Sequence, residues 1–207
     1  MHDPRKPHLE AAYRVLHYLK GSPGQGIIFR KGGQLSVQAF TDADYGGSLV
    51  DRRSTTGPCV FLAGNLVTWR SKKQKVVARS SAESELRALD HGLCELLWIR
   101  IILLDLQIKW KGPMELRCDN KSSINIAHNP VQHDRTKHIE IDRHFIKEKV
   151  EGGLIELSYT PSEDQVADVF TKPLHSPRFQ GLIVKLGMTN IYKPSLRGSV
   201  DKTKRHH

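Results

Sequence analysis

A chain of 207 residues, 38% apolar and 26% charged, is long enough for one buried core with attachments and has the balance of an ordinary globular protein. No apolar run nears the roughly 18 residues of a membrane-crossing helix and no secretory leader opens the chain, so no membrane partner is expected. A formal charge of +10 points to a polyanion, nucleic acid first, although diffuse surface basicity gives the same total.

Residues 8–20 set Leu9, Ala12, Tyr13, Leu16 and Leu19 on one helical stripe, which Gly21 and Pro23 stop. Little nearby would cover that stripe, so it reads as the tail of a preceding domain. The run 35–42 alternates as a strand, with Leu35, Val37 and Ala39 on one face and Ser36, Gln38 and Asp42 on the other; Gly46-Gly47 then turns the chain. A loop through Arg53-Ser54-Thr55-Thr56-Gly57 leads to short strands over 58–63 and 66–69, with Gly64-Asn65 as the hairpin signal. The basic segment Arg70-Ser71-Lys72-Lys73-Gln74-Lys75 precedes the longest helix, about 81–106. Ser80 and Glu83 have capping-box spacing at its start. A strand over 114–118 ends on Asp119, and helices over about 121–128 and 138–151 follow. After a last strand, 154–159, Ser162 and Gln165 repeat the capping-box spacing and open a helix through Asp168 that Pro173 ends. From 174 the chain mixes Pro, Gly and Lys into a basic tail. This order makes a mixed α/β layer fold.

Four acidic residues sit at element ends or on a core-facing stripe: Asp42, Glu85, Asp119 and Asp168. Periodicity separates the two helix glutamates. Glu85 heads the stripe Leu89, Gly92, Leu96, Ile99, Leu103, whereas Glu83 pairs with Arg87 four residues on and serves the cap. Each acid also has a plain structural reading. Asp42 could start a turn, with Asp44 the rival candidate; Asp119 could cap the next helix; Asp168 could pair with Lys172. Were the four to converge, their mutual repulsion would call for hard divalent cations. All-oxygen ligation suits Mg²⁺, with Mn²⁺ as a substitute, rather than zinc. Two such ions about 3.5–4 Å apart serve phosphodiester hydrolysis.

The motifs Thr41-Asp42-Ala43-Asp44-Tyr45-Gly46-Gly47, Arg53-Ser54-Thr55-Thr56-Gly57, Ser80-Ser81-Ala82-Glu83-Ser84-Glu85, Cys118-Asp119-Asn120-Lys121, Arg135-Thr136-Lys137-His138-Ile139 and Gln165 to Lys172 resemble the ribonuclease H domain of copia-type LTR retrotransposon Pol polyproteins. The resemblance covers nearly the whole chain. It divides residues 1–33 as the end of a reverse transcriptase connection, 34–174 as the RNase H domain and 175–207 as a C-terminal basic extension. It implies an RNase H-like fold: a five-stranded mixed sheet, strands one to three antiparallel, flanked by helices. It also implies Mg²⁺-dependent cutting of the RNA strand of RNA–DNA hybrids, leaving 5′-phosphate and 3′-hydroxyl ends. Asp42, Glu85, Asp119 and Asp168 would be the catalytic metal ligands, and the reverse transcriptase domain of the same polyprotein a partner. The setting would be intracellular, in cytoplasmic virus-like particles or the nucleus. Two departures stand out. No histidine lies between Tyr159 and Ala167, where many RNase H enzymes carry one, so slower turnover is expected; and no Tyr-x-Asp-Asp polymerase motif occurs.

Arg70, Lys72, Lys73 and Lys75 beside Trp69 are candidate phosphate contacts, with a solvated charge run as the alternative. Asn120 and Ser122 are candidates for the hybrid's sugar edges, with helix capping as the alternative. Cys59, Cys94 and Cys118 are odd in number and widely spaced, which fits a reducing compartment. His133, His138 and His144 lack paired cysteines and regular spacing, so no zinc site is expected. The rival to a nuclease is a catalytically silent nucleic-acid-binding remnant of a transposon; a DNA-cutting relative of similar fold is a third reading.

Overall fold

The computed structural model describes residues 3–128 and 137–192, with backbone alone at 137–139. In chain order the elements are α1 (Lys6–Gly21), β1 (Gln25–Ile27), β2 (Val37–Thr41), β3 (Ala43–Asp44), β4 (Thr55–Thr56), β5 (Cys59–Leu62), β6 (Asn65–Trp69), β7 (Lys72–Lys73), α2 (Ser81–Asp105), β8 (Met114–Cys118), α3 (Lys121–His128), α4 (Lys137–Glu151), β9 (Ile155–Tyr159), α5 (Ser176–Lys185) and β10 (Met188–Asn190). Two 3-10 turns, Ser162–Asp164 and Val166–Phe170, lie between β9 and α5.

The main sheet has the order β6-β5-β2-β8-β9. β2, β5 and β6 are antiparallel neighbours, whereas β8 runs parallel to β2 and β9 parallel to β8. This is the expected five-stranded mixed sheet with its first three strands antiparallel. Alternation in β2 buries Val37, Ala39 and Thr41, and the same period in β8 buries Met114, Leu116 and Cys118. The predicted α2 stripe of Leu89, Leu96, Ile99 and Leu103 joins the same core, widened by Leu86 and Leu93, which the stripe had not included. Gly92 sets how closely helix and sheet approach. A β-carbon there would stand 2.3 Å from Thr41 Cγ2 and 3.0 Å from Leu116 Cδ1, so its absence lets α2 seat on β2 and β8.

Several local expectations shift. The hairpin turn is Ala63-Gly64, both at positive φ, because Asn65 already pairs with Leu62. No α-helix opens at Ser162: Gln165 instead caps the second 3-10 turn, its side chain accepting from the Ala167 N–H. The stretch read as a tail opens with α5, which buries Leu182 and Ile183; Pro177 at its first turn is a helix-starting position rather than a breaker. A small sheet, β3-β4-β7, also lay beyond periodicity because two-residue strands have no period to read.

All of this except α1, β1 and β10 belongs to one packed unit, Phe29–Gly187. A separate unit comprises the residues up to Ile28 and those from Met188, in which β1 and β10 pair antiparallel. Within it α1 buries none of its residues; Leu9, Tyr13, Leu16 and Leu19 are all exposed. None of the described helices is long and apolar enough to cross a membrane.

Gly92→Ala is expected to force α2 off the sheet. Urea unfolding should show a loss of about 1–3 kcal/mol, since overpacking against a backbone-anchored threonine has little room to relax.

Candidate active site

Parallel pairing of β2 with β8 places Thr41 opposite Cys118, so the next residue of each strand, Asp42 and Asp119, emerges at the same sheet end. Glu85 enters from the second turn of α2, where its Oε1 accepts the Ala43 N–H at 3.2 Å. Asp168 is supplied by the Val166–Phe170 turn. That turn is fixed to β2 through fully buried Gln165, whose amide donates to the Thr41 carbonyl at 3.0 Å. Gly57 allows the close approach: a β-carbon there would lie 2.6 Å from Thr171 Cγ2 and 2.8 Å from Phe170 Cβ. The outcome is convergence. One oxygen each from Asp42, Asp119 and Asp168 lies within 4.8 Å of the others, and Glu85, Cys118 and Asp119 form a second such group.

With that geometry in hand, kinship is informative. No protein-family model matches the chain. It is 42% identical over 191 residues to a retrovirus-related Pol polyprotein from transposon RE1 of Arabidopsis thaliana, covering 92% of this chain and 13% of that one. To the corresponding polyprotein of transposon TNT 1-94 of Nicotiana tabacum it is 32% identical over 180 residues, covering 87% and 13%. A structure of LC11-RNase H1, isolated from compost by a metagenomic approach, superposes with a TM-score of 0.50 at 17% identity, over 67% of this chain and 94% of that one. The chain has an RNase H-like fold and is homologous to a segment of retrovirus-related Pol polyproteins from copia-type transposons. It spans about one-seventh of the length of the curated relatives it matches.

The four acids differ in environment. Asp42 has no exposed surface; Lys172 Nζ stands 2.9 Å from its Oδ1 and the Thr171 hydroxyl donates to its Oδ2. Asp168 is paired with the same ammonium at 2.9 Å and with Arg178. Asp119 is half-buried and accepts from Ser162 Oγ at 2.9 Å. Burial raises the Asp42 carboxyl, against the opposing pull of Lys172 and Thr171. Burial, then the charges of Asp42 and Asp119, push Glu85 up to about 9. Burial opposes the charge of Lys172, yet Asp42 and Asp168 outweigh it and hold the ammonium above the usual lysine range. The Cys118 thiol is pushed up to about 12, first by burial and then by Glu85.

Other candidates find plainer duties. Asp44 accepts the Thr55 N–H and holds the small sheet. Glu83 reaches the Arg79 N–H and Arg87, and Ser80 Oγ accepts the Glu83 N–H, so the cap forms as expected. Asp119 is not the cap of α3; Asn120 is, accepting the Ser123 N–H at 3.0 Å, while Ser122 is exposed. Arg70 pairs with Glu95 at 2.8 Å, and Lys73 bonds Ser48 and Asp51. Lys72 and Lys75 are exposed. His144 is exposed on α4, whereas His133 and the side chain of His138 lie outside the described residues. Arg178 and Ser162 were missed as partners of the acids. Nothing in their local spacing flags them, since one comes from an unrecognised helix and the other looked like a cap.

Glu85 dictates a pH response of the metal-free protein. A carboxyl raised on folding is still largely protonated where its unfolded counterpart is ionised, so stability falls as pH rises toward the folded value and levels off above it. In a chelator, the melting temperature should fall between pH 7 and 8.5. Glu85→Gln should flatten that slope and stabilise the protein by roughly 1–3 kcal/mol at the upper end.

Proposed function

We propose that this chain is the ribonuclease H of a retrotransposon Pol protein, hydrolysing the RNA strand of RNA–DNA hybrids during reverse transcription. The observation that carries the reading is the convergence of Asp42, Asp119 and Asp168, from three separate elements, within 4.8 Å, with Glu85 alongside. Four carboxyls at one sheet end are a poor structural device and a good hard-cation site. Asp42, Glu85, Asp119 and Asp168 offer oxygen ligands suited to Mg²⁺ or Mn²⁺, hard cations for which the neighbouring Cys118 sulfur is a poor partner. Asp42, Glu85, Asp119 and Asp168 would hold the ions. Bound there, divalent ions supply an activated water and neutralise charge on the phosphate and leaving oxygen.

The chain's own part is positioning. Strand ends and the α2 register fix the acids on rigid elements, so little reorganisation accompanies reaction. The small sheet runs Ala43, Thr56, Lys72 in register, which puts Lys72 two strand spacings, roughly 10 Å, from the residue after Asp42. Lys72 and Lys75 are therefore placed to hold hybrid phosphates, with Arg70 and Lys73 doing so at the cost of their present ion pairs. No histidine occupies 160–167; His175 is exposed at the start of α5. The reverse transcriptase of the same polyprotein is the natural neighbour, and an intracellular setting follows from reverse transcription itself. One observation favours the silent-remnant reading: Asp42 and Asp168 are already paired by Lys172 and Arg178, as in a structural ion-pair network.

Cleavage of a labelled RNA–DNA hybrid in Mg²⁺ decides between them. The wild-type chain should cut the RNA strand and leave duplex DNA intact. Asp119→Asn, isosteric and half-exposed, should lower the rate about 10³-fold, or roughly 4 kcal/mol of barrier, while the protein stays folded. Hybrid binding without cleavage in either ion would sink the enzyme and leave the remnant. Replacing Lys72 and Lys75 together by Ala should weaken hybrid binding irrespective of sequence and reduce the salt slope of log K by about 1–2.

A further inference from the structure

The cluster is electrically lopsided. Every carboxylate oxygen of Asp42 and Asp168 has a donor from the chain: Lys172 bridges one oxygen of each at 2.9 Å, Thr171 takes the other on Asp42 and Arg178 the other on Asp168. Among the described residues, neither Glu85 nor Asp119 makes an ion pair; Glu85 accepts from the Ala43 N–H and the Cys118 thiol, and Asp119 from the Ser162 hydroxyl. Asp119 is also the more open group, whereas Asp42 and Asp168 are buried. Lys172 itself is 37% exposed, so its four-carbon stem has room to swing the ammonium into water.

We propose that Lys172 is a resident counter-cation of the Asp42–Asp168 half of the site, holding the metal-free fold together and yielding its place when a divalent ion enters. The inference rests on the metal-dependent reading above and adds an order to it. The Glu85–Asp119 half accepts a cation without displacing a charged group of the chain, whereas an ion shared by Asp42 and Asp168 competes with an ammonium already bound. Competition by a tethered cation weakens ion affinity and raises the ion concentration at which the second half fills. The same contact offsets the cost of burying the Asp42 anion while no ion is present, since an unpaired charge at a site without solvent exposure is strongly destabilising. Lys172 is thus a positioning residue for the ions rather than a group that touches the reacting phosphate. Arg178 assists by holding the outer oxygen of Asp168 and the Ser162 carbonyl.

The test uses the 207-residue chain and Mn²⁺ as the probe. Calorimetric titration of wild type and Lys172→Met should show tighter Mn²⁺ binding in the variant, by about tenfold, with a lower melting temperature in chelator. Unchanged or weaker Mn²⁺ binding in a folded variant overturns the proposal. A second measurement needs no variant. In wild type, acylation of Lys172 by an amine-reactive reagent, read by peptide mass, should be slow in chelator and several-fold faster in saturating Mn²⁺; equal rates also overturn it. Hybrid cleavage measured in parallel separates the two claims. Cleavage without Mn²⁺-linked release of Lys172 removes this inference and keeps the nuclease, whereas release without cleavage does the reverse.

Discussion

A carboxylate with no solvent exposure, Asp42, stands at the end of the central strand, and the rest of the site is arranged around the cost of burying it. Lys172, Thr171 and the Val166–Phe170 turn are brought to it by Gln165, which ties that turn to the backbone of β2. Glu85 and Asp119 add two more carboxyls beside it, and burial, then the charges of Asp42 and Asp119, raise Glu85. Stability alone would favour an apolar group here. A charged centre on rigid elements makes sense where cations are to be gathered.

The precision of that centre comes from close packing distant from it. Gly92 lets α2 lie against Thr41 and Leu116, which fixes where Glu85, two turns earlier, meets Ala43. Gly57 lets the 3-10 turn press against the β4–β5 connection, which fixes Asp168 and Thr171. Both glycines work by what is absent, and the Gly57 N–H also donates to the Asp42 carbonyl at 3.0 Å. The parallel β2–β8 register then sets Asp42 beside Asp119.

Kinship and chemistry meet at this point. The sequence identity to plant transposon polyproteins covers most of this chain but a small part of each relative. The fold likeness to an RNase H1 concerns architecture. What this chain contributes by itself is an oxygen-rich cluster, half of it already neutralised by its own lysine, beside exposed lysines on a small sheet.

Much of this was written in the linear chain. Alternation in β2 and β8, the α2 stripe headed by Glu85, and the division of labour between Glu83 and Glu85 followed from periods of 2 and 3.6, because burial of one face is a local, repeating demand. The helical period singled out Glu85 and the strand alternation ran up to Asp42, whereas Asp119 and Asp168 were marked by their place in the chain and by the family motifs. Their meeting was not legible from period alone: which strand ends lie side by side depends on the parallel pairing of β2 with β8, a contact between residues more than seventy positions apart. Only the tertiary structure decided that Asp44 and Asn120 serve turns and caps, that 162–170 winds as 3-10 rather than α, and that Arg178 reaches Asp168 from a helix hidden in an apparently basic tail. The physical reason is the same in each case. A side chain's partner is set by distance in space, and sequence spacing reports that distance only within a single helix or strand.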